Sequence, residues 1–317
     1  MKLYLAQRLV QLIAVLFVVS VIVFTLVRLI PGDPATIQLG AEGTPEALAA
    51  LRQDMGLDRP IWIQYLVWTG NMLRGDLGQS WISKQSSVSL IRRFLPATIQ
   101  LTLMAFAIAV LIAFPAGILA ARYPRSWIDT GITGLALMGL SLPSFWLAIM
   151  LILVVALRTG WFPPSGYASF LENPWEALRT TALPAFTLGV GLAAPLSRFL
   201  RSGMLDVLGA DYIRTARAKG LTEWWVMVRH ALKNAMLPVV TVLALQLGSL
   251  VGGTFVIEQV FTWPGIGRLS LTAIQHRDYA IIQAVVLLVA GAFVMINFLV
   301  DLLYVFLDPR IRLESKR

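Results

Sequence analysis

The chain has 317 residues, of which 57% are hydrophobic and 14% charged, and its formal net charge is +9 at pH 7. An ordinary water-soluble domain is excluded, because such domains are about 25% charged. Cysteine is absent, which excludes disulfide bonds and thiolate metal sites. The two histidines, His230 and His276, lie far apart in sequence, so we expect no histidine-based metal site. No nucleotide-binding glycine loop and no nucleic-acid-binding motif occurs, so we expect no catalytic, cofactor or metal residues in this chain.

Six apolar runs are each long enough to cross a bilayer, which takes about 20 residues of helix. They predict an all-α polytopic membrane protein with one membrane domain over residues 1–317. Ser141-Leu142-Pro143-Ser144 is expected to interrupt the third run, because a proline inside a helix removes a hydrogen bond. Pro184 and Pro195 lie near the expected ends of the fourth run, and Pro238 is expected to open the fifth. The predicted spans are 9–30, 97–121, 130–157, 182–198, 238–260 and 281–305.

A polar segment over residues 31–95 follows the first span, which Pro31-Gly32-Asp33-Pro34 is expected to stop. Thr44 and Pro45 are typical of a helix N-cap and first position. A second helix from Pro60 would have an apolar face that lies on the membrane surface or packs on other helices. That face is formed by Ile61, Tyr65, Trp68 and Met72. We therefore expect a helical extracytoplasmic segment between the first two spans.

Lysine and arginine are concentrated at the termini and in the loops after the second and fourth spans. The positive-inside rule then predicts cytoplasmic termini and a cytoplasmic loop over residues 199–236. Arg28 lies near the far end of the first span, where its long side chain is expected to reach the interface.

The basic island at residues 211–238 is the longest stretch of its kind between the apolar runs of the second half. On a helix, Tyr212, Ala216 and Gly220 fall on one stripe, whose small residues would let another backbone approach closely. We expect a short helix over residues 211–221 with a joint at Gly220, and a second helix capped by Thr222. Charge alone favours a solvated cytoplasmic loop, whereas the small-residue stripe and the glycine joint favour an element that docks on a partner.

Few polar side chains occur within the predicted spans. On the fifth span, Gln246, Ser249 and Thr254 are candidates to line a polar path. Glu258 and Asp301 lie near helix ends, where water is expected to reach them, although a proton relay is an alternative role.

Several motifs resemble those of ABC importer permeases, and more narrowly those of the dipeptide, oligopeptide and nickel branch. In the general importer pattern, Glu-Ala-Ala is followed by three residues and glycine. Here the triplet is Arg214-Thr215-Ala216, so only Ala216 and Gly220 match that pattern, whereas the branch-specific version matches throughout. The resemblance covers nearly the whole chain and includes Ser141-Leu142-Pro143-Ser144-Phe145-Trp146, Ala216-Arg217-Ala218-Lys219-Gly220, Trp263-Pro264-Gly265-Ile266-Gly267-Arg268, Arg277-Asp278-Tyr279 and Asp308-Pro309-Arg310.

This resemblance implies a type I importer permease fold in a bacterial inner membrane. It implies a second permease, two cytoplasmic ATPases that hold ATP and Mg²⁺, an extracytoplasmic binding protein and surrounding lipid as partners. Peptides are the expected substrate, with glutathione and nickel or a metal chelate as alternatives, because these permeases share almost all the motifs. The residues expected to couple to the ATPase are Tyr212, Arg214, Ala216, Arg217, Ala218, Lys219 and Gly220.

Two other classes of membrane protein, an intramembrane enzyme and a secondary transporter, fit the sequence less well. An intramembrane enzyme needs a catalytic pair in a common cavity, and a secondary transporter is expected to show inverted repeats and charges at mid-membrane. The scarcity of His, Asp and Glu within the apolar runs argues against both classes.

Overall fold

A computed structural model of the chain describes residues 2–29, 34–39 and 44–307. The predicted helix stop at Pro31-Gly32-Asp33 and the motif Asp308-Pro309-Arg310 lie outside the described residues. The chain divides into two compact units, Met1–Pro96 with Arg268–Val294 and Ala97–Gly267 with Met295–Arg317. That both units act as one membrane domain stays a prediction.

The described residues are mainly helical, and their one β-bridge joins Gln79 to Ser86. Two π-helical segments, Ile152–Ala156 and Val226–Ala231, continue the helices that precede them. In chain order the α-helices are α1 (Lys2–Leu29), α2 (Pro34–Leu39), α3 (Pro45–Asp54), α4 (Ile61–Leu73), α5 (Ser87–Arg122), α6 (Trp127–Ser141), α7 (Ser144–Leu151), α8 (Leu157–Thr159), α9 (Pro174–Leu208), α10 (Asp211–Ala218), α11 (Glu223–Trp225), α12 (Leu232–Gly253), α13 (Phe255–Val260), α14 (Ile266–Gln275) and α15 (Tyr279–Leu307).

The helices that could cross a membrane confirm the predicted fold class. Within the described residues, four straight helices are long and apolar enough to cross a membrane, and two bent helix pairs raise the number of candidate spans to six if each pair counts as one. The first pair bends by 100° between Ser141 and Ser144, where the sequence predicts an interruption. The four straight candidates are Val10–Leu29, Ser87–Arg122, Pro174–Leu208 and Tyr279–Val300, and the pairs are Trp127–Ser141 with Ser144–Thr159 and Glu223–Met236 with Pro238–Gly248.

The predicted proline positions need correction. Pro184 and Pro195 lie inside α9, which has 35 residues and extends well beyond the expected span at both ends. Pro238 lies inside α12 and does not open it, because the helix has already begun in the basic island. Its ring blocks one backbone hydrogen bond, and the segments Glu223–Met236 and Pro238–Gly248 meet at 58°. Prolines are tolerated inside membrane helices where neighbouring groups satisfy the freed carbonyls.

In the first unit, α4 packs against α1 through an aromatic cluster. The Tyr65 ring meets Phe24 edge to face at 5.2 Å between centroids, and its hydroxyl lies 2.8 Å from Ser20 Oγ. Gln64 Oε1 accepts hydrogen bonds from two guanidinium nitrogens of Arg28 at 2.9 and 3.1 Å. Of the two alternatives for the apolar face of α4, packing on another helix therefore holds for Tyr65. Arg28 is anchored by a side-chain amide, which sequence spacing does not predict.

The loop before α5 is joined to the start of α15, also within the first unit. Ser80 Oγ donates a 2.5 Å hydrogen bond to Oδ2 of Asp278, whose side chain is buried. Gly78 approaches so closely that an added Cβ would lie 3.3 Å from the Ala280 Cβ. Ser80 and the motif Arg277-Asp278-Tyr279 therefore meet in one contact, although Ser80 and Asp278 are 198 residues apart in sequence.

In the second unit, α9 forms the centre of the helix packing, with α12 and α6 beside it. Small residues allow close approach, since a Cβ at Gly203 would lie 3.1 Å from the Ala235 carbonyl oxygen. A Cβ at Gly189 would lie 2.8 Å from Ile108 Cγ2. The α9 helix therefore reaches its last residue, Leu208, as a well-packed element, and the basic island begins directly after it.

Candidate functional site

The basic island begins with α10, which runs from Asp211 to Ala218. Ala210 occupies the N-cap position in an extended conformation. Asp211 places a carboxylate in the first turn, where its negative charge interacts favourably with the positive end of the helix dipole. Arg217 lies in the last turn, where a cation is favoured. The predicted short helix is therefore confirmed, although its last residue is Ala218 and not residue 221.

The inner face of α10 is formed by Ile213 and Ala216. Both side chains are buried, with exposed fractions of 0% and 7%, in a cluster that includes Met204, Val226 and Met227. The prediction that Ala216 lies on an outward docking stripe is therefore wrong. The three-residue spacing from Ile213 to Ala216 turns the alanine toward this chain's own core, where burial of apolar surface holds the helix in place.

The outer face of α10 consists of Arg214, Thr215 and Ala218, and Lys219 continues it past the helix end. All four residues are exposed, and the Arg214 guanidinium lies 3.6 Å from the Asp211 carboxylate in a pair that is open to solvent. Such a pair contributes about 0–1 kcal/mol, so the face keeps its charge available for a partner. The outer face of α10 is therefore a short basic surface with a small residue, Ala218, at its centre.

Gly220 forms the joint predicted by the sequence. Its φ is +81°, and an added Cβ would meet nothing within 4 Å, so conformation and not crowding requires glycine here. The Gly220 N–H donates to Arg217 O at 2.9 Å, and the Leu221 N–H donates to Ala216 O at 3.4 Å. These two bonds form a Schellman motif, which stops α10 and turns the chain.

An ion pair between Arg217 and Glu223 bridges this turn on its exposed side. Arg217 Nη2 and Nε donate to the two carboxylate oxygens of Glu223 at 2.7 and 3.1 Å. The bonds to the carboxylate raise the pKa of the Arg217 guanidinium, which stays charged. The sequence predicts Arg217 as a contact for the ATPase, whereas here it spans the Gly220 joint within one chain. The two side chains are 41% and 42% exposed, so the pair stays within reach of a partner.

The second helix of the island leads directly into the membrane-spanning α12. Thr222 occupies the N-cap position of α11, but its hydroxyl makes no capping hydrogen bond. The π-helical segment Val226–Ala231 then inserts an extra residue per turn before α12. Asn234 Nδ2 donates a 2.7 Å hydrogen bond to Tyr212 Oη, which ties α10 to this helix. Movement of α10 would therefore act on α12 through a direct contact.

The three candidate path residues lie on or next to α12. Gln246 is half-buried, and the side chain of Ser249 lies outside the described residues. Thr254 is 1% exposed, and its hydroxyl donates to Glu258 Oε1 at 3.0 Å. Thr254 thus belongs to a buried polar cluster, and it could contact a path only after a change in conformation. The path role of these residues stays a prediction.

Glu258 is the centre of that cluster and is fully buried. Its Oε1 also accepts a 2.9 Å hydrogen bond from Thr98 Oγ1, which in turn accepts the Ile266 N–H at 2.7 Å. Trp263 packs beside it, with its Nε1 donating to Ala97 O at 2.9 Å. The expectation that water reaches Glu258 near a helix end is therefore wrong, because the chain folds back over that end after α13.

Two glycines of the Trp263-Pro264-Gly265-Ile266-Gly267 motif make this fold-back possible. A Cβ at Gly265 would overlap the Glu258 carboxylate, and one at Gly267 would lie 2.6 Å from Phe255 Cα. The sequence-based predictions do not include this cluster, although Gly265 and Gly267, the first of them five residues after the predicted fifth span, are an available signal. Among the described residues, no group of His, Asp and Glu side chains could hold a metal ion.

Comparison with known families gives two matches that together cover most of the chain. Residues 113–313 match the family described as binding-protein-dependent transport system inner membrane component. Residues 1–102 match the N-terminal family of the same kind of membrane component.

Relatives with assigned names extend over almost the full length. One is a protein of Brucella abortus (strain 2308), named as a peptide transport system permease protein, which is 43% identical over 97% of this chain and 98% of its own. Another is the glutathione transport system permease protein GsiC of Escherichia coli (strain K12), which is 43% identical over 98% of each chain.

Solved structures share the fold at low sequence identity. A chain of the MetNI methionine ABC transporter is 19% identical, with a TM-score of 0.57, over 69% of this chain and 96% of its own. A chain of an amino acid ABC transporter is 14% identical, with a TM-score of 0.51, over 68% of this chain and 93% of its own. With the family match over residues 113–313, these findings place the chain in the family of binding-protein-dependent transport system inner membrane components, the permeases of ABC importers.

Proposed function

We propose that this chain is the permease subunit of an ATP-driven importer that carries dipeptides or oligopeptides across the inner membrane. The observation that carries this proposal is the 43% identity, over 97% of the chain, to a protein named as a peptide transport permease. The chain works with a second permease, two cytoplasmic ATPases that bind ATP and Mg²⁺, and an extracytoplasmic binding protein. It contributes the pathway and the mechanical link to the ATPases.

The mechanical link is the outer face of α10. Arg214, Thr215 and Ala218 present an exposed, partly cationic surface, and Ile213 holds the opposite face in the core. A groove in an ATPase would receive this helix, with acidic or backbone acceptors opposite Arg214 and Lys219. When the groove moves, α10 moves with it, and the Tyr212–Asn234 hydrogen bond passes the displacement to α12.

The orientation that this mechanism needs is supported by charge. Basic residues are concentrated in the 199–236 loop and at the termini, so both belong on the cytoplasmic side. A reporter fused after Arg217 is expected to be cytoplasmic, and one fused after Asp76 extracytoplasmic. The opposite pattern would rule out the coupling role of α10.

Glutathione is a second candidate substrate, because the GsiC relative is as similar to this chain as the peptide permease is. Glutathione is itself a small peptide, so the two candidates share an extended backbone and terminal charges. The present chain offers no residue that separates them, and selection would lie with the binding protein.

The experiment is to purify this chain with the subunits encoded beside it and to reconstitute the complex in liposomes. ATP hydrolysis is then measured with the binding protein loaded in turn with a dipeptide, an oligopeptide, glutathione or a nickel chelate. We expect stimulation by a peptide-loaded binding protein together with uptake of the peptide. Hydrolysis without uptake of any ligand, or stimulation by the nickel chelate alone, would contradict the proposed substrate class.

A further inference from the structure

A cavity of about 450 Å³ lies between α6 and α9, and its lining residues belong neither to α10 nor to the Glu258 cluster. Four of its lining residues, Pro195, Arg198, Phe199 and Ser202, follow the spacing of one face of α9. Arg201 and, from α6, Thr133 complete the lining. The cavity thus combines guanidinium groups and hydroxyls with an aromatic ring and a proline.

Arg201 is held in place by a buried carboxylate. Its Nε and Nη2 donate to Asp129 Oδ1 and Oδ2 at 2.5 and 2.7 Å, and Asp129 is only 4% exposed. This bidentate pair uses two of the three guanidinium nitrogens, which leaves Nη1 with its two N–H donors for another acceptor. Asp129 therefore acts as a positioning residue that fixes a cation at the edge of the cavity.

Arg198 supplies the uncompensated charge of the cavity. It is exposed and makes no ion pair with a carboxylate among the residues that the structure describes. The cavity therefore carries net positive charge while Arg201 is neutralised by Asp129. An anionic ligand is the chemistry that this arrangement favours.

The depth of the cavity along α9 points to the membrane interface. Residues 180–197 carry no charge, and they separate Arg179 from Arg198. At 1.5 Å per residue these residues span about 27 Å, close to the hydrocarbon thickness of a bilayer. Residues 130–157, which follow Asp129 from α6 through α7 to the start of α8, are also uncharged. Arg198 and Arg201 therefore lie at the level of the lipid phosphates on the side of α10.

We infer that this cavity is a headgroup site for an anionic phospholipid of the leaflet on the α10 side. Arg198 and Nη1 of Arg201 bind the phosphodiester, with the hydroxyls of Thr133 and Ser202 as further donors. Phe199, which is 49% exposed, and Pro195 form an apolar wall along which an acyl chain runs toward the membrane interior. A soluble phosphate would use the cationic end but would leave this apolar wall uncovered.

The test uses the full chain, purified with the subunits that co-purify with it and placed in phosphatidylcholine nanodiscs. A phosphatidylglycerol probe with a photoreactive acyl chain is cross-linked, and the labelled peptides are identified by mass spectrometry. We expect labelling within residues 195–202, competed by unlabelled phosphatidylglycerol but not by phosphatidylcholine or inorganic phosphate. Lipid binding is scored directly, so the test is independent of whether the chain imports peptides.

Arg198→Gln is the informative variant, because it leaves the Asp129–Arg201 pair intact. One lost cation near a membrane surface should reduce labelling about fivefold. Arg179→Gln, at the opposite end of the same helix, is the matched control and should leave labelling unchanged. Three outcomes would overturn the inference: equal labelling of wild type and Arg198→Gln, equal competition by inorganic phosphate, or cross-linking of position 199 to the second permease in place of lipid.

Discussion

Two helices of this chain end in the same hydrogen-bonded turn but in opposite surroundings. Just past the end of α10, Gly220 has a left-handed backbone conformation. After α13 the corresponding residue is Thr262, whose φ is +54°. The second turn repeats the pattern of the first, with the Trp263 N–H donating to Glu258 O at 2.7 Å and the Thr262 N–H to Gln259 O at 3.2 Å. The α10 turn is exposed, whereas the α13 turn precedes buried Trp263.

This difference distinguishes the α10 turn, which is open to a partner subunit, from the α13 turn, which is part of the packed interior. Around Gly220 the backbone has space and the nearby charges are exposed, so a substitution there should mainly change docking. Around Glu258 the carboxylate, the threonine hydroxyls and two glycines share one tightly packed volume, so a substitution there should change folding first. We therefore expect substitutions near Gly220 to reduce transport more than stability, and substitutions near Glu258 to reduce stability first.

The largest loss of stability should come from Gly267→Ala. The new methyl group would lie 2.6 Å from Phe255 Cα, and backbone must move to admit it. Overpacking of this kind costs up to about 3 kcal/mol. Thermal unfolding of the detergent-solubilised chain checks this. Gly191→Ala is the control, because a Cβ there meets nothing within 4 Å and should leave the melting temperature unchanged or raised. Equal melting temperatures for the two variants would contradict tight packing at Gly267.

Glu258→Leu should have the next largest effect. It leaves the hydroxyls of Thr98 and Thr254 without the carboxylate acceptor, and a buried unsatisfied group costs about 1–3 kcal/mol. Glu258→Gln keeps an oxygen acceptor of the same shape and should be much milder. The two variants are compared by melting temperature and membrane abundance. A Gln variant that folds normally but transports nothing would instead favour a proton-relay role for Glu258.

Gly220→Ala should cost less, about 1 kcal/mol, because only the left-handed backbone conformation opposes the new side chain. Gly220→Asn should recover most of this loss, since asparagine tolerates the left-handed region better than alanine. The measurement is the difference in unfolding free energy between the two variants. A cost for Asn that equals or exceeds that for Ala would mean that space, and not conformation, requires glycine here.

The smallest change in stability should come from Glu223→Gln, about 0.5 kcal/mol, because the Arg217–Glu223 pair is partly exposed and screened by solvent. The pair fixes the angle at the Gly220 joint, so ATP hydrolysis stimulated by the binding protein should fall more than the stability does. Glu176→Gln is the control, because its ion pair with Arg179 is about as exposed as the Arg217–Glu223 pair but lies on α9, outside the basic island. Stimulated ATP hydrolysis that is equal in Glu223→Gln and in the Glu176→Gln control would contradict the positioning role.

The sequence predicts the fold well because membrane spans depend on length and apolar content, both of which are local. The interruption near Pro143 and the cap at Thr44, whose hydroxyl accepts the Ala47 N–H at 3.2 Å, were also predictable from local chemistry. The prolines of α9 and Pro238 were placed wrongly, because packing against neighbours allows a helix to continue through a proline.

The position of the candidate site in the sequence was predictable, but which of its side chains are buried and which are exposed was not. Charge and spacing indicate a short basic helix and a glycine joint, and both are present. They do not reveal that Ala216 is buried, because the sequence cannot show that Met204 and Met227 cover that face. The burial of Glu258 also depends on a contact with Thr98, 160 residues away. Contacts of this range carry no local signal in one sequence.

The most direct measurement of the central claim, that the outer face of α10 docks on an ATPase, is made on Ala218→Trp. Ala218 is exposed, so the bulky ring should leave membrane abundance and melting temperature unchanged. Co-purification of the ATPases and transport should both be abolished, because the ring would fill the groove. Leu171→Trp is the matched control, because Leu171 is 97% exposed and lies far from α10 in sequence. Thr69 would not be a suitable control position, because its hydroxyl is buried. Normal transport by a well-expressed Ala218→Trp variant, equal to that of Leu171→Trp, would contradict the account.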